Sequence, residues 1–261
     1  MQPSINTYAT MILQTFAKLG VPVPKDLTAA QERAKQLSTA VGNIRLDRDA
    51  LAVAVVAAVD AGHEPTADPA VHSLIAAERL TQPGLSTTVD QITTGAIQQS
   101  LIGNSEKLIE SMRGPFDKAA ANLLAALDRF GPVDLTDTTQ IIRMGGDVAD
   151  VWAKAAAGLD IINQISNAWG FIAELTHVAP AQRATLRITD AGYEAFNRLD
   201  LRNRRLNAWE VLSEGLTLDL ANAATFKARS AGIEEGARQE DLARDEALRN
   251  EYRTHRPTVN R

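Results

Sequence analysis

Apolar side chains recur every three or four residues along almost the whole chain, and glycine or proline interrupts the rhythm wherever a helix would have to stop. That spacing buries one face of a helix, whereas a half-buried strand needs strict alternation. The pattern predicts an all-α fold. Its punctuation predicts a multi-helix bundle of about seven to nine helices, with one long central helix and a polar C-terminal helix that projects.

Ile5, Tyr8, Ile12, Phe16 and Leu19 form the first stripe, closed by Gly20 and by Val21-Pro22-Val23-Pro24. Proline has no amide to donate and pushes its predecessor toward extended geometry. The second stripe is Leu27, Ala30, Ala34, Leu37 and Val41, with Thr28 and Gln31 spaced as a capping box and Gly42 at its end. A third helix is expected from Asp47 or Asp49 to Gly62. Its centre, Leu51 to Val59, is apolar on every face, which predicts a buried helix; a buried strand also fits the valine-rich run, and the cap residues favour the helix. Asp68 followed by Pro69 marks the start of a fourth, which Gln82-Pro83-Gly84 should stop.

The stops at Gly20, Gly42, Gly62 and Gly84 are evenly spaced, but their flanking residues differ, so the regularity is architectural and not a repeat. A helix through Val89, Ile92 and Met112, interrupted at Gly95 or Gly103, should halt at Gly114-Pro115. Phe116, Ala120, Leu123, Leu127 and Phe130 make the next stripe, ending at Gly131-Pro132. Asp137 and Gln140 can cap the segment after it. From Ile141 to Leu175 the apolar positions Val148, Trp152, Ala155, Leu159, Ile162, Ile165, Trp169 and Ile172 alternate threes and fours, the spacing of a long packed helix. Gly158 and Gly170 predict kinks in it. Beyond, Leu216, Leu218 and Leu220 alternate like a short strand, and Ile233 to Arg253 is polar nearly all round.

These signals suggest three regions: an N-terminal helical bundle over 1–131, a long-helix segment with an arginine-rich face over 132–232, and a polar arm over 233–261. No apolar run approaches the ~20 residues that cross a bilayer. The first cation is Lys18, so no signal peptide is expected, and the default location is cytoplasmic or inside an assembly.

Composition removes whole chemistries. There is no cysteine, hence no disulfide, thiolate metal site or cysteine nucleophile. The net charge of −5 excludes a uniformly basic nucleic-acid coat. Positive charge is concentrated instead. Between residues 183 and 209 six arginines face three acids, whereas residues 132–182 hold two basic and six acidic groups. Arg198, Arg202, Arg205 and Trp209 would share one face of a continuous helix, with Arg183, Arg187 and Arg204 nearby. Such a face suits an anionic ligand, either nucleic-acid phosphate or an acidic patch on a protein. It equally suits a solvated helix in which Glu194 pairs with Arg198 and Trp209 packs inward.

His63, Glu64, Asp68 and His72 are the compact set of metal-capable residues, but their spacing is not that of HExxH, and Asp68 has a simpler task as an N-cap. No Gly-x-Ser-x-Gly elbow or phosphate loop is present. Glu234-Glu235, Glu240-Asp241 and Asp245-Glu246 sit where nothing would desolvate them. No cofactor is expected. The sequence therefore points to a non-enzymatic structural or assembly protein, a bacteriophage head or tail component being one example, whose partners are other subunits in an oligomer or larger complex. The alternatives are a nucleic-acid-binding or regulatory module using Arg198, Arg202 and Arg205, and a metal-dependent helical enzyme.

Overall fold

A computed structural model of the chain describes residues 5–43, 49–80, 83–135, 137, 139, 143, 146–177, 183–202 and 208–254. These are all-α, with no strand among them. The helices are α1 (Ile5–Leu19), α2 (Lys25–Gly42), α3 (Ala50–Asp60), α4 (Pro69–Leu80), α5 (Pro83–Ser111), α6 (Arg113–Phe130), α7 (Gly146–Thr176), α8 (Tyr193–Arg202), α9 (Ala208–Ser213) and α10 (Ala223–Thr254). Short 3₁₀ turns occur at Pro65–Ala67 and Ala184–Arg187. The chain divides into two compact units, Met1–Thr10 with Val23–Asn104, and Met11–Pro22 with Ser105–Arg261. No helix among the described residues is long and apolar enough to cross a membrane.

Local chemistry accounts for most boundaries. Gly20 and Gly62 adopt φ of +64° and +74°, which side chains with a Cβ resist. In each case the next amide closes back on the helix, Val21 to the Phe16 carbonyl and His63 to that of Ala58. Asp68 caps α4 by accepting from the amides of Ala70 (2.8 Å) and Val71 (3.2 Å). Asn222 caps α10 by accepting from the Thr225 amide.

Other boundaries differ from expectation. The second helix starts at Lys25, because the Pro24 carbonyl already accepts from Leu27 and Thr28. Thr28 therefore lies inside the helix and is not its cap, and its hydroxyl bonds back to Pro24. Pro83-Gly84 opens α5 instead of merely ending α4. Gly95 and Gly103 do not interrupt α5, since a helical glycine costs stability without breaking the hydrogen-bond ladder. Gly114-Pro115 does not halt the chain either. It lies in the first turn of α6, where a proline amide is not needed, and Met112 joins α5 to α6 in helical geometry, so the two read as one long bent helix. Residues 140 and 141 lie outside the described residues, but Asp137 does accept from the Thr139 amide.

In the first unit, α2 turns Leu27 inward, and Asp26 accepts from Asn104 Nδ2 (2.5 Å) and Ser100 Oγ (3.4 Å) of α5. These donors, Asn104 first, hold the Asp26 carboxyl below its ordinary pKa. The core of the second unit is the α6–α7 pair. Phe116, Ala119, Leu123 and Ala126 pack opposite a face of α7 that buries Ala155, Ile162, Ile165, Trp169 and Ile172. The expected α6 stripe is rotated slightly, with Ala119 and Ala126 replacing Ala120 and Leu127. Helix α7 runs through Gly158 and Gly170 without a break. The two glycines admit neighbours: a Cβ at 158 would stand 2.9 Å from the Ala119 carbonyl oxygen, and one at 170 would meet the Arg187 guanidinium. The single long helix expected from the apolar spacing has company, since α5, α7 and α10 contain 29, 31 and 32 residues.

Candidate interaction surfaces

Of the arginines between residues 183 and 209, Arg187 is the one that is buried among those whose side chains are described. It donates from Nη1 to the Ser166 carbonyl (3.0 Å) and lies 5.3 Å above the Trp169 ring. Burial pulls its guanidinium down to about 10, so it is still charged at neutral pH. Arg229 is also buried. It donates to the Leu186 and Asp219 carbonyls and pairs with the Asp219 carboxylate. Arg113 donates to Leu220 O and to Glu110. Arg229, Arg113 and the Trp169 indole, which donates to Ala221 O (2.8 Å), satisfy the Asp219, Leu220 and Ala221 carbonyls of an extended stretch that no sheet would serve.

That stretch corrects the strand expected at Leu216 to Leu220. It is an irregular crossing that donates from Asp219 and Ala221 to the Ile188 and Arg187 carbonyls. Only Leu220 of the three leucines is buried, because the chain here runs past side chains and not beside a partner strand.

Of the expected Arg198–Arg202–Arg205–Trp209 face, only Arg198 and Trp209 have described side chains, and Trp209 is turned inward. The structure describes α8 up to Arg202, and α9 begins at Ala208; Arg204 and Arg205 lie outside the described residues. Trp209 is only 5% exposed and donates from its indole to Val133 O (2.7 Å). An apolar ring with one donor found an internal acceptor, which is the usual fate of a buried tryptophan. Arg198 remains outward, half exposed, 3.9 Å from the Glu214 carboxylate and not paired with Glu194. Arg183 is engaged by Ser230 and Glu234.

Between α8 and α10 runs an open cleft of about 960 Å³, lined by Tyr193, Glu194, Asn197, Arg198, Gln239 and Glu240. Tyr193 packs where Gly236 leaves room and donates its hydroxyl to Glu240 (2.6 Å), which raises the phenol's pKa. The cleft holds no nucleophile–base pair and presents charges of both signs.

The four metal candidates are near one another but separately employed. His63 Nδ1 lies 3.7 Å from Asp68, Glu64 accepts from the Thr66 hydroxyl, and His72 meets the Thr66 carbonyl. Asp68 is committed to the amides of Val71 and Ala70, which lower its pKa. Among the described residues no group of three or more His, Asp or Glu side chains could hold a metal ion.

Two surfaces stand out instead. The first is α3. Its hydropathy predicts burial, but only Ala58 is buried, while Val53, Val56 and Val59 are 65%, 58% and 58% exposed. A helix apolar all round has no preferred face, so α4 can cover just one side of it. Nearby, Ile75 and Leu80 of α4 are exposed as well. The second surface is the distal part of α10. Ile233 is the last buried one among its residues whose side chains are described, and Arg238 to Glu251 are exposed throughout, including Leu242 and Leu248. Pairs such as Arg238 with Glu235 and Arg244 with Glu240 lace it along its own surface.

Comparison of the chain with protein-family models, with curated proteins and with solved structures gave no match.

Proposed function

We propose that this chain is a non-enzymatic structural subunit that works by joining a larger protein assembly, of the kind found in a virion head or tail. The observation that carries the reading is the uncovered valine face of α3. Three exposed valines on an eleven-residue helix form a contiguous apolar stripe, and such patches mark association sites. Ala50 to Val59 contains no charge, so the valine face itself brings no like charges together when two copies meet. The reading accordingly commits to self-association through this face as the building step. The exposed distal half of α10 supports it as a second contact.

Sedimentation velocity over a wide range of protein concentration tests the proposal. A sedimentation coefficient that climbs with concentration, and stays at the monomer value in the double variant Val53→Glu, Val56→Glu, is the expected result. A wild-type chain that remains monomeric throughout would falsify it. The nucleic-acid reading keeps Arg198, which is half exposed, but the nearby Arg187 is spent inside the fold and Arg183 is engaged by Glu234. Against the metal-enzyme reading, Glu64 and Asp68 are engaged in turn and capping bonds.

A further inference from the structure

Among the described helices and turns, the hairpin made by α3 and α4 packs chiefly on itself. Both helices, at 11 and 12 residues, are no longer than the ~12–15 at which an isolated helix is at best marginally stable in water. Each buries one residue, Ala58 and Val71. Their packing is chiefly on each other and on the Pro65–Ala67 turn between them. Cohesion of the connection is equally local. Asp68 holds the amides of Ala70 and Val71, Glu64 holds Thr66, and His72 reaches the Thr66 carbonyl, all within a short stretch of chain. The α6–α7 pair is the opposite case, with Phe116, Leu123, Ile162 and Trp169 fully enclosed.

We propose that the α3–α4 hairpin is an independently opening unit, latched at its turn by Asp68, that unfolds and refolds while the α6–α7 core stays closed. The free energy of a local opening follows the apolar area it exposes and the backbone bonds it breaks. Opening here exposes Ala58 and Val71 with the half-buried Leu51, Val55 and Leu74, a small set beside the enclosed α6–α7 core, because the valine face of α3 is already in water. When open, the segment presents the residues that faced α4 together with Val53, Val56 and Val59. The hairpin is thereby a conformational device that can offer α3 on all sides. This does not depend on self-association, and it is read in dilute protein.

Native-state hydrogen exchange of the full chain, resolved by peptide mass spectrometry, tests it. Peptides covering Ala50–Asp60 and Pro69–Leu80 should be protected at least tenfold less than peptides from Phe116–Phe130 and Ala155–Ala173 after correction for intrinsic rates. A ratio below tenfold overturns the proposal. Asp68→Ala probes the latch: protection should fall further in the hairpin and stay unchanged in α6 and α7. No change in the hairpin, or a loss shared by α6 and α7, removes Asp68 from that role. The same measurement on Val53→Glu, Val56→Glu separates opening from association, since that variant should keep the low hairpin protection.

Discussion

Gly158 lies against the backbone of Ala119, so closely that a Cβ on residue 158 would stand 2.9 Å from the Ala119 carbonyl oxygen. The neighbour is main chain and cannot rotate away. Helix propensity favours alanine over glycine by up to ~1 kcal/mol, so an unconstrained helical glycine should gain from the change. Gly95 is such a position, with nothing within 4 Å of where a Cβ would stand. Gly95→Ala is therefore expected to stabilise the protein slightly, while Gly158→Val forces α6 and α7 apart and costs about 1–3 kcal/mol. Urea unfolding of the two variants checks this. Equal effects would mean that α6 and α7 do not approach through residue 158.

Trp209 and Arg198 predict opposite responses to truncation. Trp209→Ala empties a buried site and strands the Val133 carbonyl, at a cost of about 3–5 kcal/mol. Arg198→Ala touches a half-exposed side chain whose carboxylate neighbour is 3.9 Å away, and should change stability by no more than about 0.5 kcal/mol. Paired thermal melts decide it. A large Arg198 effect beside a small Trp209 effect would restore the shared surface face that the spacing suggests.

Helix existence and most stops were legible because they depend on neighbours in sequence: Gly20, Gly62 and the Asp68-Pro69 start are local chemistry. Which faces are covered was not, because burial depends on what arrives from elsewhere. The valines of α3 read as core from hydropathy, yet an all-round apolar helix carries no information about how many sides have partners. Arg187 reads as surface charge for the complementary reason. Nothing within four residues of it announces Trp169, Ser166 or the space left by Gly170. The glycines themselves read as weaknesses in a helix, where the fold uses them as clearances.

Trp169 and Arg187 form the buried contact on which the extended crossing rests. Trp169→Phe keeps the ring beside Phe226 but removes the donor to Ala221 O, leaving a buried carbonyl unsatisfied at about 1–3 kcal/mol. Arg187→Met fills similar volume without a charge to desolvate, and exchanges of that kind are often near neutral. Chemical denaturation should therefore rank Trp169→Phe as the more damaging of the two. The reverse order would show that the guanidinium stabilises the fold by more than its desolvation costs.

Asp26 and Asp68 give the first unit a defined acid sensitivity. Hydrogen bonds hold both carboxyls below the ordinary aspartate value, Asn104 acting chiefly on Asp26 and the Val71 amide on Asp68. In the unfolded chain each returns to ~3.9. A group depressed in the folded state contributes stability that is fully present above its unfolded pKa and is lost as pH falls through the folded one. The wild type should accordingly lose stability on acidification from about pH 5 to about pH 3, through this pair among other carboxylates. Asp26→Asn combined with Asp68→Asn removes two of those protonations. The variant should be less stable at neutral pH and should show a shallower dependence on acid, so that the two curves converge at the low end. Melting temperatures across that range provide the test, and parallel curves would show that neither carboxyl is depressed by the contacts described.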